Sequence, residues 1–151
     1  MNSPKLLALF SLIGVLSGSA FAAQPQETVI AFTVNNVSSS AIEIKPGDGS
    51  KIEPYEFDIL NFSKDLKISS LREGDSAGFG HAFLLTSGDK SCYFSSSITL
   101  TKLNGVISPI IQGEARTTGK TPAICSTGNI EQPKNQPYSY NVNISMGDLK
   151  K

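Results

Sequence analysis

Two tight reversals constrain this chain more than any other feature. Gly88-Asp89 and Asn104-Gly105 favour two-residue hairpin turns, and they separate three stretches: Gly78–Ser87, Ser91–Leu103 and Val106–Arg116. Counting outward from the first turn pairs Leu85 with Cys92, Phe83 with Phe94, His81 with Ser96 and Phe79 with Ile98. Counting from the second pairs Leu100 with Pro109, Ile98 with Ile111, Ser96 with Gly113 and Phe94 with Ala115. The counts are independent, yet both assign the same alternate residues of the middle strand to one buried face. A slip of one residue in either hairpin would turn that face to water. The reading is a three-stranded meander.

The remaining segments fit the same class. Glu27–Val34 alternates Ile30, Phe32 and Val34 with Ala31 and Thr33, and Ala41–Lys45 gives a short strand around Ile42 and Ile44. Pro46–Ser50 is turn chemistry at nearly every position. Ile52 with the alternating Tyr55, Phe57 and Ile59 reads as a third strand entered at Pro54, with Glu56 and Asp58 on its wet side. Asn61–Arg72 fits neither period cleanly: a strand or one helical turn would each serve, and the reading favoured is a loop followed by a strand. Thr117–Pro137, rich in Thr, Gly, Pro, Asn and Gln, reads as a long loop, and Tyr138–Met146 alternates apolar and polar residues without a fault. Seven or eight short strands with Gly/Pro/Asn turns imply an all-β, antiparallel β-sandwich, immunoglobulin-like or jelly-roll-like, with a small β-barrel as the alternative. The chain has no Trp and both cysteines fall late, a departure from the immunoglobulin pattern of a Trp packed on a disulfide.

The compartment is written at the N-terminus. Lys5, the apolar run Leu6–Leu16 and the small residues leading to Ala20-Phe21-Ala22 form the three regions of a secretory signal peptide, residues 1–22. The apolar run is too short to span a bilayer, and no later stretch approaches the length needed, so no integral membrane segment is expected after cleavage. Residues 23–151 then form a single secreted or periplasmic domain. Cys92 and Cys125, an even count in an exported chain, are expected to form one disulfide. Acidic and basic residues balance at 13 each, which leaves no basic stripe for nucleic acid. The sequons at Asn36, Asn61 and Asn143 carry meaning only in a eukaryotic secretory pathway.

Chemistry is sparse. Gly74-Asp75-Ser76-Ala77-Gly78 satisfies G-x-S-x-G, the pattern around the nucleophile of many serine hydrolases, and is similar to the serine neighbourhood of trypsin-like proteases. His81 is the only histidine and so the only imidazole base available to Ser76. It follows Ser76 by five residues, an order found in neither family, and on one extended strand the two stand well beyond hydrogen-bond reach. The carboxylates Glu53, Glu56 and Asp58 near Asp48 have neither EF-hand spacing nor a Gly-Asp repeat, and no metal or cofactor is expected.

Two sets of residues stand out for recognition. The row His81–Ser96–Gly113 falls on the buried face, where Ser96 offers a partner to an imidazole nitrogen and Gly113 leaves space for a small polar pocket. On the opposite face Tyr93 pairs with Arg116, Ser95 with Glu114 and Ser97 with Gln112. That polar surface suits a protein or glycan partner. The expectation is a non-enzymatic exported module that binds through Tyr93, Arg116, Gln112 and Glu114, together with the loop around Cys125. The alternatives are a hydrolase using Ser76 and His81, or an assembly subunit that lends its first or last strand to a neighbour.

Overall fold

Both hairpin registers read from the turns are the registers observed, pair for pair, from Ser87–Lys90 to Phe79–Ile98 and from Leu103–Val106 to Phe94–Ala115. The turns explain why. Asn104 and Gly105 both take positive φ, as a type I′ reversal demands, and Gly88 takes it at the first central position of the other. The structure is a computed structural model that describes residues 27–149; the signal peptide expected at residues 1–22 lies outside them.

In chain order the strands are β1 (Thr28–Val37), β2 (Ile42–Lys45), β3 (Lys51–Ile52), β4 (Phe57–Lys64), β5 (Ser76–Ser87), β6 (Lys90–Leu103), β7 (Val106–Thr117), β8 (Ile124–Thr127) and β9 (Tyr140–Gly147). One 3-10 turn, Ile68–Ser70, lies between β4 and β5. They form two sheets, ordered β4-β1-β9-β8 and β3-β2-β5-β6-β7, which pack together as a sandwich and do not close into a barrel. Phe32, Val142 and Ile144 from the first sheet meet Phe83, Phe94, Ile98 and Leu100 from the second in one core. Phe32 stands edge-on to Phe62 at 5.9 Å and to Phe83 at 5.0 Å, so aromatic packing ties β1 to both its neighbour and the facing sheet. Each such side chain, fully buried, stabilises the fold by about 1.5–3 kcal/mol.

Four features differ from the sequence reading. The described residues hold nine strands, because the two-residue β3 and four-residue β8 carry too little pattern to be seen. Six of the seven strand pairings are antiparallel, but β1 and β9 run parallel, Ile30 beside Tyr140 through Val37 beside Gly147. That pairing also removes the idea of a lent terminal strand: β1 lies between β4 and β9, and β9 between β1 and β8, so neither is an edge.

The third expected strand is broken and its phase inverted. Tyr55 sits in a turn at φ 65°, while Phe57 and Ile59 face solvent, 65% and 51% exposed. Leu60 and Phe62 point inward instead. The opposite phase won because it alone continues into buried Leu66 and Ile68 and delivers Phe62 onto the aromatic cluster. For the same reason Asn61–Lys64 belongs to β4, and the rest of Asn61–Arg72 is a connection whose 3-10 turn is the helical alternative the sequence left open, not the strand it favoured.

Asn36, one of the sequon positions, is 1% exposed, and its amide donates to the carbonyls of Ser40, Ile52 and Glu53. Its Oδ1 accepts from the Ser38 N–H and hydroxyl, so the side chain is committed to holding the β1–β2 turn against β3.

Candidate functional site

The alternation of β5, β6 and β7 sorts the singled-out residues onto two faces. His81, Ser96 and Gly113 form one row on the inner side, and Tyr93, Arg116, Glu114 and Gln112 lie on the outer side. All three border one shallow depression, but Ser96 does not partner the imidazole. Ser96 is buried, but its hydroxyl donates to the Gln112 carbonyl at 3.1 Å and meets the Tyr140 hydroxyl at 2.8 Å. His81 has no bond to it. The imidazole instead stacks on Phe62, ring centroids 3.4 Å apart and planes 16° from parallel, and its burial there holds its pKa below the ordinary value.

The space expected beside Gly113 exists and is filled by the loop that follows β8. A Cβ at Gly113 would stand 3.1 Å from Ile130 Cδ1. Ile130 is the aliphatic residue of an otherwise polar stretch, and it anchors that stretch on the core. Sequence reasoning missed both Ile130 and Tyr140. The signal for the latter was present: a tyrosine on the apolar side of a strand needs a partner for its hydroxyl. Among the described residues no buried side-chain nitrogen or oxygen lacks one.

Cys92 and Cys125 are bonded to each other, as expected, and the bridge pins β8 onto β6 across the two sheets. Ser76 and His81 do not come together. Ser76 Oγ lies on the exposed side, 2.9 Å from Thr101 Oγ1, whereas His81 points to the core side of the same strand. The parity of an extended strand separates them, since residues five apart face opposite ways. Among the described residues no cluster of His, Cys, Asp or Glu could hold a metal ion, and the Asp48–Asp58 carboxylates do not converge. No helix among those residues is long and apolar enough to cross a membrane.

The outer face has a different character. Arg116 lies over the Tyr93 ring, 4.6 Å from its centroid, and its Nε stands 3.2 Å from Glu114 Oε1. Beside this trio is a shallow depression of about 410 Å³, with Gly80, Ala82, Ser95 and Ser97 across its floor and Gln112 and Glu114 as its wall. A cleft of about 560 Å³ runs between the 129–134 loop and β9, lined by Asn129, Glu131, Gln132, Lys134, Asn141 and Asn143. The depression is built on three strands whose register is fixed, whereas one wall of the cleft is loop. Strands hold a constellation more rigidly. Comparison with family models, with curated proteins and with solved structures gave no match.

Proposed function

We propose that the chain is an exported, non-enzymatic recognition module that binds a glycan on the outer face of β5, β6 and β7. The observation that carries this reading is the depression itself. Its polar side chains, Ser95, Ser97, Gln112 and Glu114, offer both donors and acceptors, and sugar hydroxyls need both. Arg116, in contact with Tyr93 and with Glu114 of the wall, adds a guanidinium beside the depression. Export is supported by the signal pattern at residues 1–22 and by the Cys92–Cys125 bond, which persists in oxidising compartments. The split of Ser76 and His81 between two faces weighs against the hydrolase alternative.

The test is a glycan screen on the oxidised mature protein, with Arg116→Ala and Gln112→Ala in parallel. Both variants are expected to lose binding while keeping the wild-type unfolding free energy within about 0.5 kcal/mol, as surface changes do. A variant that binds as well as the wild type would place the glycan elsewhere. Export is checked by N-terminal sequencing of the secreted chain, expected to begin at Ala23.

A further inference from the structure

A sheet edge presents unpaired N–H and C=O groups, and folded proteins blunt such edges. Most edges here are blunted. β3 and β8 are two and four residues long. In β7 the two-residue turn makes Leu103–Val106 a hydrogen-bonded pair, so the odd residues turn their backbone groups outward; one of them is Pro109, which has no N–H to offer. In β4 the Asn36 N–H bonds to the Glu56 carbonyl, which leaves the Ile59 N–H on the free side. There the carboxylate of Asp58 takes it at 2.7 Å.

One edge has no such guard. β2 covers β5 only at Leu84–Thr86, so Ser76–Ala82 has β6 on one side and, among the described residues, no strand on the other. The turn at Gly88-Asp89 sets the phase: Ser87–Lys90 is a hydrogen-bonded pair, and Ser76, Gly78, Gly80 and Ala82 therefore aim their N–H and C=O groups away from β6. These four residues are exposed. A side chain cannot shield the edge at Gly80, because a Cβ there would come within 2.6 Å of the Ser97 side chain.

We propose that a second copy of this chain pairs along Ser76–Ala82, β5 against β5 about a two-fold axis, so that two five-stranded sheets become one continuous sheet. Charge favours this occupant. The segment holds no acidic, lysine or arginine residue, and its histidine points inward onto Phe62. Antiparallel self-pairing therefore sets no like charges against each other. The axis stands perpendicular to the sheet, so both outer faces point the same way. The pairing does not depend on what, if anything, those faces bind.

The test is sedimentation of the oxidised mature protein across a concentration series, without glycan, combined with amide exchange. The expected mass rises toward twice that of the monomer. The amides of Gly78, Gly80 and Ala82 exchange fast when dilute and gain protection as mass rises, while those of Ala77, Phe79 and His81 are protected throughout. Ala82→Pro removes one of the free N–H groups, and Ala82→Lys leaves the backbone intact while guarding the edge with charge; both are expected to stay monomeric. A monomer at every concentration overturns the proposal and leaves the edge to a different polypeptide. So does a dimer whose new protection falls on β4 or β7.

Discussion

Tyr140 and Ser96 meet hydroxyl to hydroxyl, 2.8 Å apart, at the centre of the sandwich, and theirs is a polar contact between β9 of one sheet and β6 of the other. The two partners are not equivalent. Ser96 keeps the Gln112 carbonyl when Tyr140 is lost, whereas Tyr140 keeps nothing when Ser96 is lost. Tyr140→Phe is expected to cost about 0.5–1.5 kcal/mol and Ser96→Ala about 1–3 kcal/mol, measured by urea unfolding.

The same pair predicts alkaline behaviour. Burial raises the Tyr140 pKa above its ordinary value of 10.0, opposed in part by the bond to Ser96. The folded state holds the phenolic proton more firmly than the unfolded state. The contribution to stability is thus complete below pH 10 and is lost as pH rises through the folded pKa. Wild-type stability should decline in that range more steeply than that of Tyr140→Phe.

Removing the Cys92–Cys125 bond, which closes a separation of 33 residues, is expected to cost about 3–4 kcal/mol in the chain-entropy account. Guanidinium unfolding of the Cys92→Ala/Cys125→Ala protein checks the figure. Amide exchange should show the loss of protection first in β8, which holds β9 through only four residue pairs.

Asp148 draws three segments together. It pairs with Lys90 Nζ and accepts from the Ser39 N–H at 3.0 Å and the Ser39 hydroxyl at 2.9 Å. These bonds, that from Lys90 foremost, lower its pKa to about 2. The contribution to stability is present above the ordinary 3.8 and disappears as pH falls toward about 2. Asp148→Asn should remove that part of the acid sensitivity, and NMR titration of the carboxyl group reads the pKa directly.

His81 should respond to its aromatic cover. With Phe62 stacked on it, burial keeps the imidazole pKa below 6.5. The folded state favours the neutral ring, so the contribution to stability is full above pH 6.5 and declines as pH falls below it. Phe62→Ala uncovers the ring, and its pKa is expected to rise toward 6.5 in an NMR titration.

How far the sequence could be read depended on whether local geometry decided the question. β5, β6 and β7 were legible to the residue because two turns of fixed length set every pair, and the outer grouping of Tyr93, Arg116, Glu114 and Gln112 followed. β4 was not, because Phe57 and Ile59 in one phase compete with Leu60 and Phe62 in the other, and only the facing sheet chooses between them. The strand β8 was hidden for a different reason: Ile124–Thr127 pairs with the end of β9 and is held by a disulfide, and neither leaves a period in the sequence. Alternation identifies the face a residue takes and is silent about which strand lies alongside. The neighbourhood of β1 and β9, about 110 residues apart, was therefore beyond its reach.

That neighbourhood sets a timetable. The meander and the pairing of β1 with β4 can assemble from contacts closer in sequence, but the other side of β1 stays open until β9 has been made, and distant pairings of this kind form late. Until then that sheet is two strands wide, and β1 presents an open edge to whatever surrounds the chain.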